Sequence, residues 1–500
     1  MFAHIRMRSA GIRGHLATSI QRRTCLGRYA PTWILAIGAA SFVAGCASFS
    51  PDAGMGIVKD IARTELNSDV VALNTEDRVS TARIEVDRLL KGPLTEAAAV
   101  QIALLNNRDL QAAYNALGIS EAENVRVTLP PSPRFSVSYI AGGGGLEAEA
   151  QIIADILALA TLQARADIAA DRFRETQLKA AVETLRVATE TRRAYVRAVA
   201  ARELASFLTQ GQTSARASVQ LARQLGESGA MNKLDQARNE VFYSELTAQL
   251  DIARQRVTSE RESLVRWIGL SDRDLAFRLP EALPAIPGRP PNVKAVEVEA
   301  LRRRIDLQIA RLELVAQAKS YGLTSATRFI NLLDVSGISK TAQEPGGPRF
   351  QETGGAVEFQ VPLFDFGEIQ RREAEAAYME AVNRMTAKAV NVRSEAREAY
   401  QLYRSSYDIA ARYQREVLPL RKIIADETLL RYNAMQIDVF ALLIETRERI
   451  ASTLAAIDAR RNYWLADTNL TAALAGGAAV SRSNPVTPTI SQAADVAGQN

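Results

Sequence analysis

The sequence predicts a mainly helical α+β protein in which one pattern of helices and strands occurs twice. Three observations support this fold class. Residues 156–225 and 368–431 are rich in alanine, arginine, glutamate and leucine, a composition that favours long helices. Stretches in which apolar and polar residues alternate precede both runs, with the two-residue period of a strand that has one apolar face. The tripeptide Asp-Leu-Gln at 109–111 returns at 306–308, which indicates an internal repeat.

The first 45 residues, 1–45, are predicted to be a signal peptide. They contain six arginines and no acidic residue, and their apolar run at 33–43 is short for a membrane-spanning helix. Small residues then precede Cys46, and this ending resembles the lipobox of bacterial lipoprotein precursors. The resemblance implies cleavage before Cys46, lipidation of its thiol and, because Ala47 rather than aspartate follows, the outer membrane. A signal anchor with an incidental cysteine is the alternative.

Removal of this segment changes the charge and the chemistry of the chain. The net charge falls from +5 to −1 when the six arginines leave, so the basic balance indicates no nucleic-acid partner. Both histidines, His4 and His15, leave as well, together with Cys25. A mature chain with no histidine and one cysteine excludes His-based catalytic triads, Cys–His pairs and the usual zinc sites. We therefore expect no enzymatic activity, no metal site and no cofactor.

The first structural repeat is predicted at 93–278. An N-terminal lipidated tether at 46–92, expected to be extended with one short helix, precedes it. The expected elements are a helix at 94–127 with Thr95 as its N-cap, strands at 134–139 and 146–152, a long helix at 156–225, a glycine-rich break at 226–229, and a helix at 230–268 that ends at Gly269.

The second repeat is predicted at 292–475, after a proline-rich linker at 279–291 and before a disordered tail at 476–500. Arg-Phe at 328–329 corresponds to the strand start Arg-Phe at 134–135, and Asp365 corresponds to Asp155. The helix at 230–268 and the next helix together match the long helix at 156–225 in length, so we expect those two to stack end to end. The expected elements are a helix at 292–321, two strands of which the second includes 354–361, a continuous helix at 368–431, and a helix at 436–474.

Four amphipathic strands present a physical problem, because an open sheet with an apolar face leaves edges that cannot stay unpaired in lipid. Known bacterial barrels begin at eight strands, so the chain is expected to oligomerise with each protomer forming part of the wall. Val357, Phe359 and Val361 alternate with polar residues and are expected to face lipid. The residues expected to line a wet lumen are Glu147, Glu149, Gln151, Glu358 and Gln360.

The long helices are expected to pack side by side as coiled coils. Apolar residues are sparse for a solid core of this length, which favours a hollow tube of helices. A solid antiparallel coiled-coil bundle is the alternative.

These features together resemble the TolC-type outer-membrane efflux proteins. The residues that carry the resemblance are Leu-Thr-Glu-Ala at 94–97 through Asn-Asn-Arg-Asp-Leu at 106–110, the junction Val-Pro-Leu-Phe-Asp-Phe-Gly at 361–367, and Arg-Tyr-Asn-Ala-Met at 431–435 with Leu-Leu at 442–443. The resemblance covers about residues 93–475. It implies a homotrimer with a 12-stranded transmembrane β-barrel continued by an α-helical tunnel, which receives substrate from a periplasmic adaptor and an inner-membrane pump.

The resemblance also assigns roles to the two helix returns, which form the periplasmic tip in that family. Asp235 and Tyr432 match residues of the family's aperture gate; the alternatives are a solvated acid and a packing residue near a helix end. The residues that match the tip and its adaptor contact are Gly229, Met231, Asn232, Met435, Gln436 and Asp438.

Three departures from the family pattern are visible. Met435 stands where the second tip usually has glycine, so its turn is expected to form without a positive φ or at another position. The acidic ring of the best-known member falls on Ala441 and Ile444, where a hydrophobic constriction is an equal possibility. The first repeat also lacks the Pro-Leu-Phe-Asp signature. The sequence thus predicts an export duct, with a non-pore coiled-coil lipoprotein of the cell envelope as the alternative, and it does not identify the substrate.

Overall fold

The structure is a computed structural model that describes residues 49–142, 145–290, 295–344, 346–437 and 439–476. Cys46, Asp438 and the tail from 477 lie outside these ranges. The N-terminal segment contains α1 (Gly56–Leu66) and α2 (Glu76–Leu89). The first repeat contains α3 (Glu96–Asn106), α4 (Arg108–Thr128), β1 (Arg134–Gly142), β2 (Gly145–Asp155), α5 (Ile156–Ala160), α6 (Leu162–Glu227) and α7 (Lys233–Ile268). After a 3₁₀ turn (Asp272–Ala276), the second contains α8 (Val296–Arg303), α9 (Ile305–Thr327), β3 (Leu332–Gln343), β4 (Arg349–Gln360), α10 (Glu368–Arg412), a π-helical turn (Tyr413–Val417), α11 (Leu418–Asn433) and α12 (Val439–Ala475).

The internal repeat extends to the backbone, because both halves break their first helix at equivalent residues. Asn107 separates α3 from α4 with φ −66° and ψ 118°, and Arg304 separates α8 from α9 with φ −60° and ψ 119°. The predictions of one continuous helix at 94–127 and another at 292–321 are therefore wrong at these two positions. Asn107 caps α4, since its Oδ1 accepts a hydrogen bond from the Leu110 amide at 3.0 Å.

The last helix of each half ends against the break in its own half. The side-chain Nδ2 of Asn107 donates to the Trp267 carbonyl at 3.0 Å, and a Cβ on the C-cap residue Gly269 would approach the Asn106 carbonyl to 2.8 Å. A Cβ on Gly476, the residue after α12, would lie 3.1 Å from the Ile305 amide. The helix at 230–268 therefore ends against the break between α3 and α4 and not against the 292–321 segment, which corrects the predicted pairing.

A four-stranded antiparallel sheet has the order β1-β2-β3-β4, so both repeats contribute one hairpin to a single sheet. Its register pairs Ser138 with Glu149 and Lys340 with Glu352. The correspondence between 328–329 and the strand start at 134–135 is wrong, because Arg328 is the C-cap of α9 and β3 begins at Leu332. Asp155 and Asp365 do correspond in role: each side chain accepts a backbone N–H in the first turn of the helix that leaves the sheet, from Ala158 at 2.7 Å and from Ile369 at 3.3 Å.

The N-terminal segment contains two helices, where the sequence interpretation expected an extended tether with one. Val58 and Ala62 of α1 are buried, as are Ala82 and Val86 of α2. Both pairs have i, i+4 spacing, which places them on one face of a helix. Glycine and proline residues at the segment's ends obscured this short amphipathic pattern.

The long helix predicted at 368–431 is interrupted. Pro419 lies in the first turn of α11, and the π-helical turn Tyr413–Val417 precedes it. A proline cannot donate a backbone N–H to the carbonyl four residues earlier and crowds that carbonyl, so a regular α-helix does not continue through it. The first-repeat counterpart, α6, continues for 66 residues without a break.

Three clusters of buried apolar side chains hold the helices together. The largest joins α1, α2, α3 and α4 with residues 178–200 of α6 and with the C-terminal end of α7. A second joins α8, α10 and α12 around Tyr403 and Tyr463. A third lies between α6 and α7, where Leu208, Leu246 and Leu250 pack with Ile450 of α12. These three clusters thus lie between helices, and none of them includes a residue of the sheet.

Candidate functional site

The sheet has two chemically different faces. Residues that pair across neighbouring strands point to the same side, so the register assigns every side chain to a face. Lys340 pairs with Glu149 and Asp334 pairs with Glu358, and Lys340 and Asp334 are an even number of residues apart on β3. We call this side the charged face. It includes all five predicted lumen residues: Glu147, Glu149, Gln151, Glu358 and Gln360.

The charged face contains almost all of the sheet's ionisable residues. Arg349 is the one charged residue of the four strands that points to the other side. Lys340 forms an ion pair with Glu147, and Arg134 forms one with the buried Asp334. The sequence interpretation missed Lys340 and Asp334 because it did not locate β3. The charged face has six carboxylates and two cations: Glu147, Glu149, Asp155, Asp334, Glu352 and Glu358, with Arg134 and Lys340.

The opposite face, here called the apolar face, is exposed and rich in large apolar side chains near the helices. Phe135, Val137 and Tyr139 of β1 are 66–78% exposed, and Val357 and Phe359 of β4 are 63% and 65% exposed. Val361, also predicted to face lipid, lies one residue beyond β4. Toward the β3–β4 hairpin this face becomes polar, through Ser339, Thr341, Gln343, Arg349, Gln351 and Thr353.

The junction between β4 and α10 is a tight turn with apolar side chains pointing outward. Phe366 and Gly367 both have positive φ, 49° and 72°. A Cβ on Gly367 would lie 2.2 Å from the Arg328 carbonyl oxygen, so only glycine fits there. Phe364 is fully exposed and Leu363 is 67% exposed. The turn therefore exposes apolar side chains at the point where the chain leaves the sheet and enters α10.

The first tip, between α6 and α7, is a well-capped turn. Gly229 has φ 74°, and Met231 is buried. Asn232 caps α7: its Oδ1 accepts the Asp235 amide at 2.9 Å, and its Nδ2 donates to the Asp235 carboxylate at 2.5 Å. Arg238 also donates to that carboxylate at 3.1 Å. Asp235 is buried, so the solvated-acid alternative is wrong, and its contacts are those of a helix cap.

The second tip, between α11 and α12, is more open. Met435 adopts φ 56°, so the expectation that this turn would avoid a positive φ is wrong. It is also 94% exposed, and Gln436 beside it is exposed too. Tyr432 is partly buried, and within the described chain no hydrogen bond joins its hydroxyl to Asp235. The two predicted gate residues therefore share no hydrogen bond among the described residues, and Asp438 lies outside these residues.

At the predicted constriction, an apolar side chain is exposed and the neighbouring acidic side chain is buried. Ile444 is 56% exposed on α12, and the acidic Glu445 next to it is buried against Arg421 at 3.4 Å. Among the residues that the structure describes, no group of three or more His, Cys, Asp or Glu side chains is placed to hold a metal ion. In the same ranges, no helix is both long and apolar enough to cross a membrane.

Comparison with known proteins shows which solved structures this architecture resembles. No family model and no curated protein matches the sequence. Solved structures do match: CusC, with a TM-score of 0.65 and 15% identity over 76% of this chain and 92% of that one, and the open state of the MtrE outer-membrane channel of Neisseria gonorrhoeae, with 0.63 and 16% over 76% and 88%. The CmeC outer-membrane channel of Campylobacter jejuni matches with a TM-score of 0.60 and 17% identity over 79% and 86%.

The chain has the fold of the TolC-type outer-membrane channels. The expected mainly helical fold with a small antiparallel sheet is thereby confirmed. These neighbours are channel proteins rather than enzymes.

Proposed function

We propose that this protein is the outer-membrane exit duct of a tripartite efflux or secretion system and belongs to the TolC-type family. It would act as a homotrimer, in which twelve strands form a transmembrane barrel and the helices form a tunnel below it. Substrate would come from a periplasmic adaptor and an inner-membrane pump. The chain would contribute no chemistry of its own, only a wall, a lumen and an aperture.

The observation that carries this proposal is the separation of charge in the sheet. Every charged residue of the four strands except Arg349 points to the charged face, and the apolar face exposes large apolar side chains beside the helices. Water on one side and lipid on the other would require this arrangement. A coiled-coil scaffold without a pore would have no use for it.

The two edges of the sheet support oligomerisation. β1 and β4 are exposed along their whole length, and among the described residues each pairs with a single neighbouring strand. An edge strand that enters lipid must find a partner, because an unpaired backbone group there costs several kcal/mol. Strands of 9 to 12 residues are long enough to cross a bilayer when tilted. Pairing β4 of one protomer with β1 of the next would close the wall.

The position of the N-terminal segment supports a lipid anchor. Both the amide and the hydroxyl of Ser50 donate to the buried carboxylate of Glu121, at 2.7 and 2.5 Å. Glu121 lies on α4, about 10 Å of helix below its sheet-side end at 1.5 Å per residue. Cys46 is four residues before Ser50, a reach of at most about 14 Å. An acyl chain on Cys46 could therefore enter the same membrane as the sheet.

A matched pair of substitutions tests the membrane assignment of the sheet. Val137 and Ser138 are neighbours on β1 that point to the apolar and charged faces. Val137→Lys places a charge in the proposed lipid layer, at a cost of about 2 to 4 kcal/mol if the site lies near the midplane. Ser138→Lys places the same charge in the proposed lumen. We expect only the first to reduce the yield of membrane-inserted trimer, measured by floating the protein with lipid vesicles followed by native mass spectrometry.

Equal loss of trimer in both variants would contradict the assignment of faces. A wild-type protein that remains monomeric in lipid would contradict the duct itself and favour a non-pore envelope lipoprotein.

A further inference from the structure

The apolar face of the sheet differs between its two hairpins in the half that lies farther from the helices. At this level the β3–β4 hairpin has only polar side chains on the apolar face, and we call them the polar patch: Ser339, Thr341, Gln343, Arg349, Gln351 and Thr353. The β1–β2 hairpin has only apolar side chains, alanines and one tyrosine at the same level: Val137, Tyr139, Ala141, Leu146, Ala148 and Ala150. One side of each protomer therefore suits hydrocarbon at this level, and the other side does not.

The side chains of the polar patch have few partners within the protein. Among the described residues, one side-chain hydrogen bond joins two members of the patch, from Gln351 Nε2 to the Ser339 hydroxyl at 3.5 Å. Hydrocarbon offers hydroxyl, amide and guanidinium groups no hydrogen-bond partner, so these groups would remain unsatisfied among acyl chains. The patch therefore requires a polar neighbour from outside the chain.

Strand length places the polar patch at one edge of the proposed membrane span. β3 and β4 have 12 residues each. At about 3.3 Å per residue such a strand is about 40 Å long, and a tilt of about 40° leaves about 30 Å of height, which is close to the thickness of the hydrocarbon layer. The exposed Leu363 and Phe364 lie at the helix end of the sheet, and the patch lies at the hairpin end. In the proposed duct the patch would thus be level with the headgroups of the outer leaflet.

The charge of the polar patch favours an anion. Arg349 is the one charged residue of the four strands on this face, and the six carboxylates of the sheet point to the other face. Lys340 on the charged face is paired with Glu147, whereas Arg349 is exposed and has no ion-pair partner among the described residues. Glu344, the nearest acid before it in the chain, forms no ion pair with it in the same ranges. A guanidinium group matches the geometry of a phosphate, to which it donates two parallel hydrogen bonds.

We propose that the polar patch binds the headgroup of a phosphorylated glycolipid in the outer leaflet of the outer membrane. Arg349 would contact a phosphate, and the amide and hydroxyl side chains of the patch would contact sugar hydroxyls. These neutral side chains both donate and accept hydrogen bonds, as sugar hydroxyls do, whereas the phosphate of a simple phospholipid would use Arg349 alone. This inference rests on the proposed duct, because a barrel that spans the outer membrane brings the patch to that leaflet.

Lipid retention by the full-length trimer tests the proposed glycolipid site. The trimer is reconstituted in phosphatidylcholine nanodiscs that contain a minor fraction of diphosphorylated lipid A, and native mass spectrometry counts the lipid A molecules that stay bound. The wild type should retain one per protomer. Arg349→Gln should weaken retention about tenfold, which is the usual effect of losing hydrogen bonds to a charged group. Arg349→Lys keeps the charge without the planar fork and should fall between the two.

Further variants separate recognition of the sugar from general attraction of anions. Thr341→Val with Gln351→Leu removes a hydroxyl and an amide but keeps Arg349, so it should weaken retention of lipid A and leave that of phosphatidylglycerol unchanged. Lys340→Gln removes a cation from the opposite face of the same hairpin and should leave lipid A retention unchanged. Lipid A without its phosphates should bind more weakly than the diphosphorylated form, and millimolar inorganic phosphate should not displace the latter.

The outcomes distinguish the glycolipid site from the duct. If the trimer forms and conducts ions, but Arg349→Gln retains lipid A as the wild type does, the site is wrong and the duct stands. Equal retention of phosphatidylglycerol, or displacement of lipid A by inorganic phosphate, would overturn the glycolipid assignment. Pairs of trimers that disappear in Arg349→Gln would mean that the patch contacts another copy of the protein, which would also overturn it. A trimer that never forms contradicts the duct on which the site depends.

Discussion

The two tip hairpins follow the same pattern in sequence but are packed to different degrees. In the first, α6 and α7 share Leu208, Leu246 and Leu250, which are nearly or fully buried. In the second, α11 buries no residue and exposes Leu420, Ile423 and Leu430 by 58–64%. The repeated sequence pattern therefore does not mean that the two hairpins are equally well packed, because their packing partners differ.

The tips show the same contrast on a smaller scale. The first tip has glycine at its positive-φ position, a capping asparagine and a buried methionine. The second places a fully exposed methionine at positive φ. The second tip therefore exposes an apolar side chain where the first tip buries one.

The largest expected effect comes from the packed hairpin. Leu250→Ala removes a fully buried side chain and should cost about 3 kcal/mol of local stability. Leu430→Ala, on the exposed side of α11, should cost less than about 0.5 kcal/mol in the protomer. Hydrogen exchange followed by mass spectrometry should show faster exchange at 208–253 in the first variant and little change at 418–433 in the second. Similar acceleration in both would mean that the hairpins do not differ in packing.

An intermediate effect is expected from the ion pairs at the break between α8 and α9. Arg304 is buried at the break before α9, and Asp306 accepts from its guanidinium at 2.7 Å and from Lys388 at 2.8 Å. Burial would raise the pKa of Asp306, but these hydrogen bonds outweigh it and hold that pKa below its ordinary value of 3.8. Asp306→Asn should cost about 2 kcal/mol at neutral pH, because it leaves a buried cation with one fewer acceptor.

The pH dependence of this variant follows from the sign of the shift. A carboxyl group with a lowered pKa stabilises the fold above its unfolded-state value, and the contribution is lost as the pH falls through the folded-state value. The loss of unfolding free energy caused by Asp306→Asn should therefore be full at pH 7 and become smaller below about pH 4. Thermal melting of the variant and the wild type at both pH values measures it. A deficit that persists in acid would show that packing rather than charge is responsible.

The smallest expected effect tests the strained turn of the second tip. Met435→Gly should stabilise that tip by about 1 kcal/mol, since glycine adopts positive φ without the steric cost of a side chain. Gly229→Ala at the first tip should destabilise by a similar amount. Met435→Asn, which tolerates this conformation, controls for loss of the apolar side chain. The readout is exchange of the amides at 430–437 and 226–232, and faster exchange in Met435→Gly would contradict the assignment of strain.

Much of the architecture could be predicted from the sequence, and the misses have identifiable causes. The two-residue alternation placed Glu147, Glu149, Gln151, Glu358 and Gln360 correctly on one face, because period alone decides the face of a strand. The breaks at Asn107 and Arg304 were missed although an asparagine before a helical run is an N-cap signal. Pro419 was an equally available signal for the interruption of the long helix.

Other features could not be predicted because they depend on the folded backbone. The positive φ of Met435 is imposed by the turn between two packed helices, against the preference of the residue. The hydrogen bonds from Tyr407 and Arg415 to the proline-rich connection at 277–290 are made to the carbonyl of Gly288, and a backbone carbonyl carries no sequence signal. Lys340 reaches Glu147 only because β2 and β3 come from different repeats and pair in one sheet.

Ion conductance of the purified trimer in a planar bilayer tests the central claim most directly. The six carboxylates and two cations of the charged face in each protomer predict an aqueous pore that prefers cations, with the preference weakened by neutralising Glu149→Gln. A trimer that inserts into lipid yet carries no current would contradict the proposal that this protein is an exit duct.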